Sequence, residues 1–550
     1  MKPQEHIRQT IKKALDKLGY EISDPRLLNL ERPKQEEFGD ISSPVAMSLA
    51  QVAGKNPRQI AADIVRALEV DPFYVQKVDI AGPGFINFFL SQQCLQQMVV
   101  EIVQDGELYG RSDFGENQKV QLEFVSANPT GPLNVVSARA AAIGDVLANI
   151  FKAAGYDAYK EFYINDAGRQ VRLLGESLGA QYMTALGFER EIPQDGYHGD
   201  YLRELAANIA TREGSAYVKL SEDERAEVMS QIALSHIVEQ QQKSLSAYGV
   251  FFDNWFRESS LRDKGAEQSI LEKLQEKNLT YQQDGALWFK SSEFGDEKDR
   301  VLITQEGEPT YFFIDIAYHQ TKYERGFTAV HDFWGPDHHG YIDRMKSAML
   351  ALGHPKDSFH VSIIQQVNLL RDGKPVKMSK RAGEIIEMDE LIEEVGVDAA
   401  RYFFVDRKMS QPLDFDIELA KKQSDENPVY YLQYAHARIC SIFRFAEESG
   451  IGEPESFATN VLDSYHELNV IKRLIDYPEV VVKSAQFLEP HRLTAYLTEV
   501  ATVFHRFYHE HRVVTEDREK TFARLLLAKA TRQVLSNGLK LLGITAPEKM

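Results

Sequence analysis

Apolar residues recur at helical spacing near both ends of the chain and at strand spacing through much of its middle. Ile7, Ile11, Ala14 and Leu15 share one helix face, and Ile60, Ile64 and Leu68 share another. Residues 78–88 (VDIAGPGFINF) predict strand, turn, strand. The two glycines in that turn have the wrong spacing for a nucleotide loop. A second unit opens near Lys119, where Val120, Leu122 and Phe124 alternate with Gln121 and Glu123. The turn Asn128-Pro129-Thr130-Gly131-Pro132 follows. A helix comes next, with Ile143, Val146, Leu147, Ile150 and Phe151 on one face and Gly155 as its stop. Strand, glycine turn, helix is how a nucleotide-binding α/β fold begins. Residues from about 165 to 284 are mostly polar and helical and read as an insertion. Sheet-like apolar segments return at residues 286–289, 301–303, 311–315, 330–334 and 360–364. After Asn427 long helices run to the end, with Leu525, Leu526, Leu527, Val534, Leu535, Leu539, Leu541 and Leu542 at helical spacings.

The 550 residues suggest several domains, at roughly 100–200 residues each. Hydrophobic content of 43% and charged content of 26% are those of a globular protein. The two cysteines, Cys94 and Cys440, lie far apart and show no metal-ligand spacing. They predict a reducing compartment without a disulfide framework. The N-terminus has no apolar segment after its charges, so no secretory signal is expected. No run of about 18 apolar residues predicts a membrane span. The expected location is the cytoplasm. The net charge of −19 gives no compositional support for a nucleic-acid partner. That charge is uneven, however. The stretch from Asn427 onward carries 15 basic and 15 acidic residues, so the whole excess lies before it.

The most specific short signal is Lys377-Met378-Ser379-Lys380, inside DGKPVKMSKR. Glycine and proline predict a loop there. Two lysines flanking a hydroxyl suit a polyphosphate that gains charge as it leaves. The segment resembles the KMSK signature of class I aminoacyl-tRNA synthetases. Their HIGH signature should follow the first strand and open the first helix. There, residues 124–133 (FVSANPTGPL) resemble the arginyl-tRNA synthetase lead-in to that signature, and Asn134-Val135-Val136-Ser137 take its place. Asn134 and Ser137 stand where histidines are usual and can still donate hydrogen bonds to phosphate oxygens, but neither can be a cation. Val136 replaces a glycine that lets adenine approach the backbone. The helix N-terminus itself still favours phosphate.

Other segments resemble the same family: residues 162–170 (FYINDAGRQ) after the first helix, residues 427–438 (NPVYYLQYAHAR) at the start of its anticodon domain, and the ending APEKM. The resemblance spans nearly the whole chain. It implies a doubly wound, Rossmann-like parallel-sheet α/β catalytic core (113–405, with the insertion), an α+β N-terminal tRNA-contacting domain (1–112) and an all-α C-terminal anticodon-binding domain (406–550). It also implies an arginine–tRNA ligase that is usually monomeric, uses ATP with Mg2+, acts on L-arginine and tRNA(Arg), and usually requires bound tRNA to activate arginine. The alternative suggested by the altered signature is a non-catalytic tRNA-binding paralogue.

A guanidinium is a planar fork of donors and needs carboxylates. By resemblance, Glu123, Asn128, Tyr311 and Asp315 match the arginine-binding positions. Gly335, Asp337 and His338, within Trp334-Gly335-Pro336-Asp337-His338-His339-Gly340-Tyr341, match a segment that contacts ATP, together with Asn134, Ser137, Met378, Ser379 and Lys380. Lys377 and Lys380, with Asn134 and Ser137, are the expected catalytic set. The paired histidines invite a zinc reading, but no further Cys or His stands at ligand spacing, so no metal site is expected. Tyr431, Tyr434 and Arg438 fall on one helix face, either as core packing or as an anticodon contact in which rings stack on unpaired bases. Tyr508, Met550 and Phe38 are further tRNA candidates. Phe38-Gly39-Asp40 also fits a simple turn.

Overall fold

The computed structural model describes residues 2–22, 25–263, 265–376, 386–452 and 459–550. The N-terminal unit packs α1 (Pro3–Lys17), α2 (Val45–Ala53), α3 (Pro57–Ala67) and α4 (Gln92–Asp105) around a three-stranded antiparallel sheet. Its strands are β1 (Ile41–Ser43), β2 (Val75–Ala81) and β3 (Phe85–Leu90), in the order β1-β3-β2. The expected 78–88 hairpin is the β2–β3 turn, with Asp79 opposite Asn87.

Five parallel strands build the central sheet: β4 (Lys119–Glu123), β5 (Asp157–Ile164), β6 (Asn254–Arg257), β10 (Ala329–Trp334) and β11 (Phe359–Ile363). Their order is β11-β10-β4-β5-β6, so the direction of winding reverses at β4. Ligands of open α/β sheets bind outside the strand carboxyl ends at such a switch point. α5 (Val135–Ala153) follows β4 and lies close against it. A Cβ on Gly144 would fall 2.2 Å from the Phe124 ring, so only glycine permits that approach. α6 (Arg169–Ala185), α7 (Asp200–Glu213) and α8 (Glu222–Ala247) form the polar insertion, with a small apolar core of their own. The chain rejoins the central sheet at Asn254, well before residue 284.

α9 (Ser259–Asp263) and α10 (Ala266–Glu276) lead to an antiparallel trio, β7 (Thr280–Gln283), β8 (Ala286–Phe289) and β9 (Arg300–Ile303). α11 (Tyr311–Glu324) and α12 (Ile342–Leu352) flank β10. A third small sheet joins β12 (Val367–Arg371), β13 (Lys374–Pro375) and β14 (Leu413–Asp416). It is accompanied by α13 (Met388–Val395), α14 (Val397–Val405) and α15 (Ile417–Lys421). The expected sheet-like segment at residues 311–315 is instead the first turn of α11. Thr310 caps that turn by accepting from Phe313 N. A short apolar run has no periodicity that separates strand from helix, and here the cap decides.

The C-terminal domain is all helical: α16 (Pro428–Glu448), α17 (Tyr465–Ile475), α18 (Tyr477–Gln486), α19 (His491–Glu510) and α20 (Arg518–Leu542). Buried Arg401 fastens it to the catalytic core. Its guanidinium donates to Asp145 Oδ2 on α5, to the Leu542 carbonyl that ends α20, and to the Tyr248 carbonyl after α8. The N-terminal unit docks on the same helices through Arg32–Asp476 and Lys472–Asp40. One apolar core runs through all three regions.

Candidate active site

Glu123 ends β4 and is only 7% exposed. The chain then turns sharply, with Val125 at φ 68° and Ser126 at φ 38°. Such angles cost a β-branched residue of order 1–3 kcal/mol, and strain of this kind collects at functional sites. The turn points Ser126 Oγ back to Glu123 Oε1 at 2.9 Å, where it also accepts from Tyr163 N. Glu123 Oε2 accepts from Tyr318 OH at 2.7 Å and from Lys322 Nζ at 2.5 Å. Lys322, fully buried, also donates to Asp332 Oδ1 at 2.9 Å, and His319 Nε2 meets Asp332 Oδ2 at 2.7 Å. Burial works to raise the Asp332 pKa, but Lys322 and His319 hold it at about 2. Arg325 grips buried Glu161 with both guanidinium arms. These layers aim Glu123 and hold it firmly.

Tyr311 and Asp315 occupy successive turns of α11 and share a face. Tyr311 is 65% exposed, and its hydroxyl lies near Gly168, 3.7 Å from where a Cβ on that glycine would fall. Asp315 accepts from Tyr341 OH at 2.6 Å. No ion pair to Asp315 occurs among the described residues. Burial pushes its carboxyl up, Tyr341 pulls it back, and Glu123 pushes it up further. Burial together with Glu258, Asp315 and Glu123 drives the Tyr163 hydroxyl well above its ordinary range. Three carboxylates therefore lie about the Tyr163 hydroxyl, a setting suited to a planar cation. Asn128, five residues after Glu123, has an exposed side chain, and its carbonyl accepts from Thr130 N.

Asn134 is the N-cap of α5. Its Oδ1 accepts from Val136 N at 2.9 Å and Ser137 N at 3.0 Å. Ser137 Oγ lies 3.4 Å from the same oxygen. The side chains at the two histidine positions thus close the helix end on themselves. Gly335 caps the 3-10 turn Pro336–Tyr341, on which Asp337 and His338 are exposed. With the helix start capped from within, the Asn134 amide N–H2 is the donor there that could meet a phosphate oxygen. Lys377, Met378, Ser379 and Lys380 lie outside the described residues. Glu123, His319 and Asp332 bring ligand atoms within 4.8 Å of one another, the spacing of a metal site. The Lys322 ammonium already holds two of these three carboxyl and imidazole groups. His338 and His339 take no part in that cluster.

In the C-terminal domain a groove of about 930 Å³ is lined by Tyr434, Arg438, Tyr508, Arg444, Arg512 and Met550. The Arg438 guanidinium lies 4.9 Å from the Tyr434 ring centre and 5.0 Å from that of Tyr508. Tyr431 instead turns toward α19, with its ring 4.9 Å from His505 and its hydroxyl on Thr502. Phe38 is 39% exposed at the end of a 3-10 turn. The following Gly39 takes φ 93°, and a Cβ there would meet the Phe88 carbonyl oxygen at 2.9 Å.

Sequence reasoning missed Tyr163, Tyr318, Lys322, Asp332 and Tyr341. Tyr318 and Lys322 fall on the Asp315 face of α11, a signal visible only once residues 311–324 are read as a helix.

The switch-point sheet, the capped α5 and the helical C-terminal domain define a class I aminoacyl-tRNA synthetase. Residues 98–418 match the family model described as tRNA synthetases class I (R), catalytic domain. Residues 5–90 match the arginyl tRNA synthetase N terminal domain, and residues 432–550 the DALR anticodon binding domain. The chain belongs to the arginyl-tRNA synthetase family. It is 47% identical over 547 residues to the arginine–tRNA ligase of Carboxydothermus hydrogenoformans, covering 99% of this chain and 98% of that one. It is 48% identical over 547 residues to that of Listeria welshimeri, with the same coverage. The arginyl-tRNA synthetase structure of Thermus thermophilus superposes with a TM-score of 0.80 over the full length of both chains, at 22% identity, a likeness of fold. Nothing in these comparisons favours the non-catalytic alternative.

Proposed function

We propose that the chain is an arginine–tRNA ligase whose guanidinium pocket is built from Glu123, Asp315 and Tyr311. The observation that supports it most is the pair of carboxylates on β4 and α11, one fixed by a buried lysine and the other without a cation among the described residues. Asn128 would bind the polar backbone groups of arginine, and Tyr311 would cover the side chain.

In the first step the arginine carboxylate attacks the α-phosphorus of ATP, the bond to the β-phosphate oxygen breaks, and pyrophosphate leaves. In-line positioning and charge stabilisation supply most of the acceleration. Asn134, Ser137, Gly335, Asp337 and His338 would hold the nucleotide, with Met378 and Ser379. Lys377 and Lys380 would neutralise the departing pyrophosphate. Mg2+, carried mainly on the phosphates, would add to that neutralisation. In the second step a ribose hydroxyl of the terminal adenosine of tRNA(Arg) attacks the adenylate carbonyl. It loses its proton, and AMP departs.

Residues 406–550 would read the anticodon through Tyr434, Arg438, Tyr508 and Met550, with Tyr431 packing behind them. Residues 1–112, including Phe38, would contact the body of the tRNA, and residues 113–405 would carry the chemistry. We propose a cytoplasmic monomer. Among the described residues no helix is long and apolar enough to cross a membrane. The test is charging of total tRNA with labelled arginine. Arginine-specific, ATP-dependent incorporation supports the reading, and charging with another amino acid instead would overturn it.

A further inference from the structure

We infer that Arg139 is a positioning residue that sets the β12–β13 hairpin, and with it the entry to residues 377–380, in register with the start of α5. Arg139 lies in the second turn of α5 and is fully buried. Its Nη1 donates to the Gln365 carbonyl at 2.8 Å and to that of Gln366 at 3.4 Å. Its Nη2 donates to the Gln411 carbonyl at 3.0 Å and to that of Lys408 at 3.2 Å. Those acceptors belong to two loops, the one between β11 and β12 and the one before β14.

Gln365 and Gln366 are also where the small third sheet is stitched together. Gln365 N donates to the Met409 carbonyl, and the Gln366 carbonyl accepts from Leu413 N. From there β12 pairs with β14 on one side and with β13 on the other. β13 is followed by Val376, whose N–H closes on the Leu369 carbonyl, and the lysine sequence begins at the next residue. On the far side the chain returns to the same helix. Glu387 forms a bridge with Asn134, and Met388 N donates to the Leu133 carbonyl at 2.8 Å. Residues 376 and 387 are therefore both fastened to α5, one through the Arg139 fork and one through its cap.

Packing alone does not account for an arginine here. All four acceptors are neutral carbonyls, and no carboxylate pairs with it among the described residues. Burial lowers its pKa to about 10, and its Nε has no partner among the described residues. A buried cation without a counter-ion is costly, and an apolar side chain would fill the space more cheaply. What the planar fork adds is fixed spacing between carbonyls of two separate loops. A lysine ammonium, a single point of donation, cannot reproduce it. The consequence is that the start of α5 and the β12–β13 hairpin, whose end at Val376 directly precedes the lysine sequence, are tied to one another.

The inference rests on the ligase reading, and its test separates the two. Arginine- and tRNA-dependent ATP–pyrophosphate exchange would be measured on the full chain, per folded molecule, for wild type, R139K, R139Q, K380A and each Arg139 variant combined with K380A. Positioning predicts that R139K and R139Q lower kcat for exchange at least about tenfold while KM for arginine and affinity for tRNA barely move. It also predicts that the loss largely disappears in the K380A background, because a misplaced lysine no longer matters once it is gone. R225K alters another buried arginine bound to carbonyls, in the helical insertion, and should lower Tm without altering exchange. Unchanged exchange in both Arg139 variants, or losses that multiply fully with K380A, would overturn the inference alone. A wild-type chain without arginine-dependent exchange would overturn the ligase reading and the inference with it.

Discussion

The Lys322 ammonium donates to Glu123 Oε2 at 2.5 Å, with one side chain fully buried and the other 9% exposed. The same ammonium serves Asp332, so one cation satisfies two carboxylates beneath the pocket. Burial opposes its charge, but Asp332, Glu123 and Glu161 hold the Lys322 pKa above its ordinary value. Removing one member of a buried charge set strands the others, at a cost of about 3–5 kcal/mol. K322M should therefore lower the unfolding free energy by about that amount. It should also weaken arginine binding, since Glu123 loses its anchor. Urea unfolding and arginine KM check the two effects.

Asp315 has a hydroxyl partner and no cation among the described residues. D315N keeps the shape and removes the charge. A hydrogen bond to a charged group contributes about 1.5–3 kcal/mol, so arginine KM should rise by about one to two orders of magnitude. Affinity for tRNA should stay within about twofold, because the C-terminal groove is built from other elements. Equilibrium binding of arginine and tRNA to the same preparation distinguishes this from misfolding.

Tyr431 and Tyr434 lie about one turn apart on α16 and have different surroundings. Tyr434 lines the groove beside Arg438 and Tyr508, while Tyr431 packs on His505 and Thr502. Aromatic stacking contributes about 1–3 kcal/mol per base. Y434A should weaken tRNA binding by about that much and leave Tm nearly unchanged. Y431A should lower Tm more and tRNA affinity less. Thermal melts and tRNA titrations on both variants settle the order.

His331 is buried in β10, stacked on His360 at 4.6 Å and facing Phe151 at 5.2 Å. Burial first, then His360, lowers its pKa to about 3, while Asp332 acts weakly the other way. Unfolded, the same imidazole titrates near 6.5. Between those values the unfolded chain binds a proton that the native chain refuses, so stability falls as pH falls through that window. H331F removes the term. Between pH 7.5 and 5.5 the wild type should lose about 1.4 kcal/mol more than H331F in urea titrations.

Much of this was readable in the residues. The β4 alternation, the proline-glycine turn and the long periodic face of α5 follow directly from residue spacing. So do the β2–β3 hairpin and the C-terminal helices. Residues 311–315 were not legible as a helix. Tyr-Phe-Phe-Ile-Asp is too short and apolar to show a period, and the deciding cap, Thr310, precedes it. That one misreading hid the line of Tyr311, Asp315, Tyr318 and Lys322 along a single helix face. The partners of Arg139 were also out of reach, because backbone carbonyls more than two hundred residues away leave no trace in side-chain pattern. The return of the chain to the central sheet at Asn254 was hidden for a related reason. β6 is four residues long and mostly half-buried, with no alternation to separate it from the insertion.

The central claim is that Glu123 and Asp315 select a side chain for its charge. Citrulline has nearly the shape of arginine but a neutral urea end, so the direct measurement compares the two in tRNA- and ATP-dependent charging. The account predicts that arginine is attached and that kcat/KM for citrulline is lower by at least about a hundredfold. Comparable charging of citrulline would contradict it.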